Sequence, residues 1–289
     1  MAFVASTIPF ALHAKPATYE LAPSSKWWMD YAPDSCSLSR AFGAGKERVV
    51  AQFIRYEPSA GFDLHLASEL FSNSANLPDL RLRFGASGDF VRAGAMSGTT
   101  GPLPALFLHG RLDNLDLHGF DHEQSNWTPE QRAALAGMDP AVESAVNSAT
   151  LIFRNKTVVL RLGGMRPPMV EMRKCTTDLV KLWGLDPEQQ EGRSSQPIPK
   201  SNPGYWLASS DYPLDSLAKG EQAIIRFRLM VDAAGQPTQC AVQAAIARGD
   251  FARITCDLLK RRARFQPAKA SDGQAISSYY VNSVRWIIP

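Results

Sequence analysis

In the first half of the chain, apolar residues recur at every second position in short runs. Arg48 to Tyr56 is rich in β-branched and aromatic residues, Phe62, Leu64 and Leu66 alternate with Asp63 and His65, and Leu80, Leu82 and Phe84 alternate with Arg81 and Arg83. A period of two places successive side chains on opposite faces, so each run predicts a strand. Helix starts follow. Thr128-Pro129-Glu130 offers an N-cap with proline at the first helical position and leads to about Ala136, and Asp139-Pro140 opens a second helix through Val146. Thr150–Arg154 and Lys156–Leu162 read as a hairpin. Met169–Trp183 has helical spacing, with Val170, Leu179, Val180 and Trp183 toward a core. The strands are local neighbours without regular βαβ alternation, which points to an α+β class and away from Rossmann or TIM-barrel folds. No internal repeat is visible.

From Asp186 to Tyr205 the periodicity stops in a stretch rich in Pro, Gly, Ser and polar residues. It reads as a linker, residues 187–204, with Pro197, Pro199 and Pro203 holding part of it extended, between domains at 15–186 and 205–289 with separate cores. Beyond it, Ile225, Phe227, Leu229 and Val231 share one strand face with Arg226 and Arg228 opposite, which predicts one buried and one wet face. Asp232-Ala233-Ala234-Gly235 supplies a turn, so Thr238 to about Ala245 folds back antiparallel. Asp250 to Phe265 predicts an amphipathic helix with Phe251, Ile254, Leu258, Leu259 and Ala263 in one stripe. The final run, Ile276–Ile288, has apolar residues at both parities and leaves its buried face open. The fold expected is α+β with two domains, the C-terminal one a small antiparallel sheet with one packed helix.

With 289 residues, 45% hydrophobic and 20% charged, there is material for one large or two ordinary cores and no signature of disorder. A net charge of +3 is too small to suggest nucleic-acid binding, and the basicity resides after Gly204, where the balance is +4 against −1 elsewhere. Met1–Ala14 is an uncharged apolar run closing on small residues, read as a remnant of a signal peptide cleaved after Ala14. It is too short to span a bilayer, which needs about 20 apolar residues, and Pro9 interrupts it. A basic leader is missing, so the alternatives are a start lying upstream or a buried N-terminal strand. Cys36, Cys175, Cys240 and Cys256 show no zinc spacing. In an exported protein the economical pairing is Cys36 with Cys175 and Cys240 with Cys256, the second crossing from strand to helix; the alternative is four buried free thiols.

The C-terminal residues resemble the TonB C-terminal domain family. Tyr212-Pro213 ahead of the first strand, V-D-x-x-G at Val231–Gly235, Phe265-Gln266-Pro267-Ala268 after the helix, Gly273 and the aromatic last strand come in that family's order over about Tyr205 to Pro289. The resemblance implies a β-α-β module offering a sheet edge in the periplasm, where the TonB box of an outer-membrane transporter, or a segment of another envelope protein, adds a strand beside the last one. Carried over, Tyr212, Pro213 and the strand Tyr279, Tyr280, Val281, Asn282, Ser283 and Val284 form the docking surface. For Tyr212-Pro213 the plainer reading is a turn before the strand with a packed aromatic. Cys240 and Cys256 resemble a strand-to-helix cysteine pair in a subset of such domains. The same edge admits a second copy of the chain. Unlike energy-transducing members, this sequence has no transmembrane helix in view and no long proline-rich arm, which puts force transmission in doubt.

Other constellations carry less. His109, Asp113, Asp116, His118, Asp121 and His122 fall within HGRLDNLDLHGFDH but match no zinc spacing. AGAMSG around Ser97 lacks the preceding strand of a nucleophile elbow. Lys260, Arg261, Arg262 and Arg264 read as a solvated helix end compensating the dipole, or as a contact for phosphate or anionic lipid. Trp27 and Trp28 read as core anchors beside Cys36, or as a ligand platform. The expectation is a periplasmic strand-docking protein linked to TonB-dependent transport, with no catalysis, cofactor or metal. The alternatives are an anchored transducer whose start lies upstream, associated with the inner membrane, and a hydrolase or metal protein acting through the N-terminal domain.

Overall fold

A computed structural model describes residues 17–72, 77, 79–114, 137–247 and 249–288. The expected leader, the helix after Thr128, and Asp116, His118, Asp121 and His122 lie outside the described residues.

The runs at 48–56, 62–66 and 80–84 and the hairpin at 150–162 form strands as their pattern requires, and six further strands among the described residues join them. They are β1 (Ala17–Leu21), β2 (Trp28–Ala32), β3 (Ser35–Phe42), β4 (Val49–Arg55), β5 (Phe62–Ala67), β6 (Arg81–Phe84), β7 (Val91–Arg92), β8 (Met96–Thr100), β9 (Leu103–Gly110), β10 (Ala149–Phe153) and β11 (Lys156–Leu160). They build a six-stranded sheet, β2-β3-β4-β5-β9-β8, and a five-stranded sheet, β1-β11-β10-β6-β7. The inner faces share one core, where Phe53 and Phe62 of the first sheet meet Phe84 of the second. Two helices accompany the strands: α1 (Pro140–Ala145), capped by Asp139, precedes β10, and α2 (Arg166–Leu182) follows β11. Met169, Met172, Cys175 and Leu179 of α2 enter the sandwich core, and Val170 stays partly exposed. A disulfide joins Cys36 of β3 to Cys175 of α2.

The C-terminal part contains α3 (Pro187–Glu191), β12 (Ile198–Pro199), α4 (Leu214–Ala218), β13 (Ala223–Val231), β14 (Pro237–Ile246), α5 (Phe251–Arg262), β15 (Phe265–Gln266), β16 (Ala268–Lys269), β17 (Ala275–Ile276) and β18 (Ser278–Trp286). Its main sheet is antiparallel, β14-β13-β18, with α5 on one face. The turn after β13 needs Gly235, whose φ is +79° and where a Cβ would collide with the main-chain oxygen of Phe265. Phe265 was expected to end the helix; instead α5 stops at Arg262, Ala263 turns extended, and Phe265 is buried as β15 opposite Pro199.

Two expectations change. The stretch after Asp186 is not a free spacer: α3 is capped by the Asp186 side chain, Ser194 N–H donates to the Lys269 carbonyl at 2.8 Å, and β12 pairs with β15. Its polar side chains satisfy the polar margins of the C-terminal sheet, so low hydrophobicity did not imply solvation. The face of β13 bearing Arg226 and Arg228 is not wet either. It packs against the N-terminal part, and Arg228 is only 8% exposed. Trp27 and Trp28 divide: Trp27 packs on Phe42 and Phe53, whereas Trp28 is 71% exposed.

Candidate functional site

The β18 strand resolves the parity problem of the last run by burying both faces. Tyr280, Val284 and Trp286 turn toward α5 and meet Trp206, Phe227, Phe251 and Phe265. Tyr279 and Val281 turn the other way, onto Val180 of α2 and onto Trp183 and Leu185 just beyond it. One side of β18 pairs with β13 from Val231↔Ser278 to Ala223↔Trp286 without a register shift. Among the described residues no strand pairs its other side, so a row of main-chain donors and acceptors is presented there. Asn282 takes part locally: its Nδ2 donates to the Tyr280 hydroxyl and its Oδ1 accepts the Ser283 N–H, both at 2.7 Å.

The residues expected to dock a partner are therefore not equivalent. Tyr212 is 6% exposed, edge-on to Phe251 and Trp286, and its hydroxyl donates to the Glu221 carbonyl. It anchors the core beneath the strand. Pro213, partly exposed, caps α4. Tyr279, Tyr280 and Val281 are buried, so the side chains near the surface are those of Asn282, Ser283 and Val284. A second disulfide joins Cys240 of β14 to Cys256 of α5, across the contact between helix and sheet. At the end of α5, Arg262 grips Asp211 with two bonds, which together hold that carboxyl below its usual range. Arg261 donates to the Asp257 carbonyl. The plainer reading is a solvated helix end; in the structure Arg261 and Arg262 bond within the chain.

Of the histidine cluster, the described part meets an unforeseen partner. His109 Nδ1 lies 2.8 Å from Asp63, and Arg226 of β13 reaches both oxygens of the same carboxylate at 3.2 and 3.1 Å. Burial pushes the Asp63 carboxyl up, but Arg226 and His109 outweigh it and hold the group below the usual range. Asp113 pairs with Arg111, and Ser97 lies within β8. Arg226 also stacks over Tyr56 at 4.6 Å. Alongside, Arg228 bonds Asp34 at 2.7 Å and covers the Trp183 ring at 4.2 Å. Between Arg226 and Arg228 a β-bulge in β14 turns Gln243 out, and its Nε2 donates to the carbonyls of Asp34 and Tyr56. Alternation alone reads such arginines as solvated. The available signal lay in the other half of the contact, Asp34 and Asp63, acidic residues beside or within strand-forming runs.

The same seam contains Glu57, faced by Arg193, Arg226 and Tyr279. Burial pushes its carboxyl from about 4.5 up to about 7, against the pull of Arg193 and Arg226. A raised carboxyl favours the packed state when protonated. Glu57's contribution to the seam is thus full below about 4.5 and is lost as pH rises through 7. Protection factors of the Tyr279 and Val281 amides, with the intrinsic pH dependence of exchange divided out, should fall over that interval, and Glu57→Gln should flatten the fall; an unchanged slope in the variant would assign it to another group.

No curated protein matches the chain, and no solved structure does. The unit built of α4, β13, β14, α5 and β18, whose outer side no strand pairs among the described residues, is where a known family is found: residues 208–288 match the family described as Gram-negative bacterial TonB protein C-terminal, and the C-terminal part of the chain is TonB-like.

Proposed function

We propose that this is a periplasmic protein whose C-terminal module takes an extended segment of an outer-membrane transporter, or of another envelope protein, onto the free side of β18. The observation that carries the reading is the outer edge of the last strand, unpaired among the described residues, within a unit that matches a family serving envelope transport by protein interaction and not by catalysis. Strand addition uses main-chain hydrogen bonds for affinity and flanking side chains for selectivity. That division suits an edge whose aromatic side chains are consumed by the core, leaving the partly exposed Asn282 and Ser283 to select. Two disulfides suit an oxidising compartment. No helix among the described residues is long and apolar enough to cross a membrane.

Titration of the labelled full-length protein with TonB-box peptides, followed by NMR, tests this reading. Shifts should concentrate on β18 and spare the outer strands β1 and β8 of the N-terminal sheets. Silence across a varied peptide set, with the protein folded, would remove the transport role. Shifts that depend on protein concentration alone would indicate a second copy on the same edge.

A further inference from the structure

The inference concerns the length of edge that a partner can use, and it rests on the strand-addition reading above. Side chains alternate along β18. Ser278 aligns with Val231 and faces the α5 side, whereas Tyr279 faces the N-terminal part and meets Trp183 with ring centres 5.0 Å apart. The chain from Trp183 onward contacts both. After Trp183 and Leu185 pack against Tyr279 and its neighbours, α3 brings in Gln190, which is 3% exposed. Gln190 Nε2 donates to the Ser277 carbonyl at 2.9 Å, and its Oε1 accepts the Ser278 hydroxyl at 2.6 Å. Arg193 bonds the Gln190 carbonyl at 2.8 Å and lies over the Tyr279 ring at 5.1 Å. Ser194 then bonds the Lys269 carbonyl, and β12 continues against β15.

This segment passes from one face of the sheet to the other, and β13 occupies the inner side of β18. It must therefore round the outer side or the starting end of β18. We propose that residues 183–195 are a register stop, which closes the start of β18 so that an added strand of an extended peptide pairs only from about Val281 to Trp286. The segment ahead of the matched module would then select the length and register of the partner, a task the module at 208–288 cannot perform alone because Gln190 and Arg193 lie outside it.

The test compares the labelled full-length protein with Gln190→Ala and, as a variant that leaves the buried amide in place, Arg193→Ala. The probe is a ten-residue synthetic TonB-box peptide. In the unaltered protein its NMR footprint should stop at Val281. In the variants it should extend to Ser278–Tyr280 with affinity about tenfold higher, as one or two added main-chain bonds supply. A footprint that reaches Ser278 in the unaltered protein, or that is the same in all three, overturns the register stop while leaving strand addition in place. A peptide that binds none of the three removes strand addition and the stop together.

Discussion

Replacing Cys36 and Cys175 with alanine should lower the unfolding free energy by about 5 kcal/mol, the larger of the two disulfide effects. Their bond closes 139 residues of chain and ties β3, in the six-stranded sheet, to α2. The Cys240–Cys256 bond closes only 16. If the bonds act mainly by restricting the unfolded chain, the logarithmic dependence on loop length makes the first worth about 2 kcal/mol more than the second. Urea unfolding of the two double-alanine variants measures the difference. A costlier loss at Cys240–Cys256 would mean that packing between α5 and β14, and not loop entropy, sets the effect.

A further loss, about 3 kcal/mol, is expected from Glu143→Ala. Glu143 on α1 is 0% exposed. It binds both terminal nitrogens of Arg173 on α2 and faces the buried guanidinium of Arg55. Burial depresses Arg55 to about 10 while Glu143 supports its charge, and Arg55 is otherwise held by the carbonyls of Ala60 and Gly61 at 3.1 and 3.2 Å. Removing the carboxylate leaves the buried Arg55 without its counter-charge, while Arg173, half-exposed, turns to water. Glu143→Gln keeps an acceptor and should cost roughly half as much. Equal stability of Glu143→Ala and the unaltered protein in urea would show that Arg173 and Arg55 find other partners.

Much of the local structure was legible because local physics governs it. The alternation in β4, β5 and β6, the Asp139-Pro140 cap of α1, and the Asp232–Gly235 turn between β13 and β14 each depend on residues within a few positions of one another. The C-terminal module was legible as a unit for a related reason. Its turn glycine, its strand-forming runs and its helix stripe occur in one continuous stretch, and that stretch coincides with the matched family. The candidate edge was legible as far as which strand comes last. That Tyr212 serves the core and not the surface was not, since an aromatic before a strand is compatible with both.

What the sequence by itself determined, then, is the strands β4, β5, β6, β10, β11, β13 and β14, the helices α1, α2 and α5, their order and the antiparallel C-terminal unit, because periodicity and turn chemistry act over short distances. Tertiary structure alone decided what each face meets. Arg226 and Arg228 look solvated until Asp63 and Asp34, 163 and 194 residues away, are brought against them. Gln190 looks like linker until the chain folds it onto Ser277 and Ser278. A polar residue is exposed or buried according to whether a complementary group comes within hydrogen-bonding distance, and residues far apart in sequence acquire that proximity only through the fold.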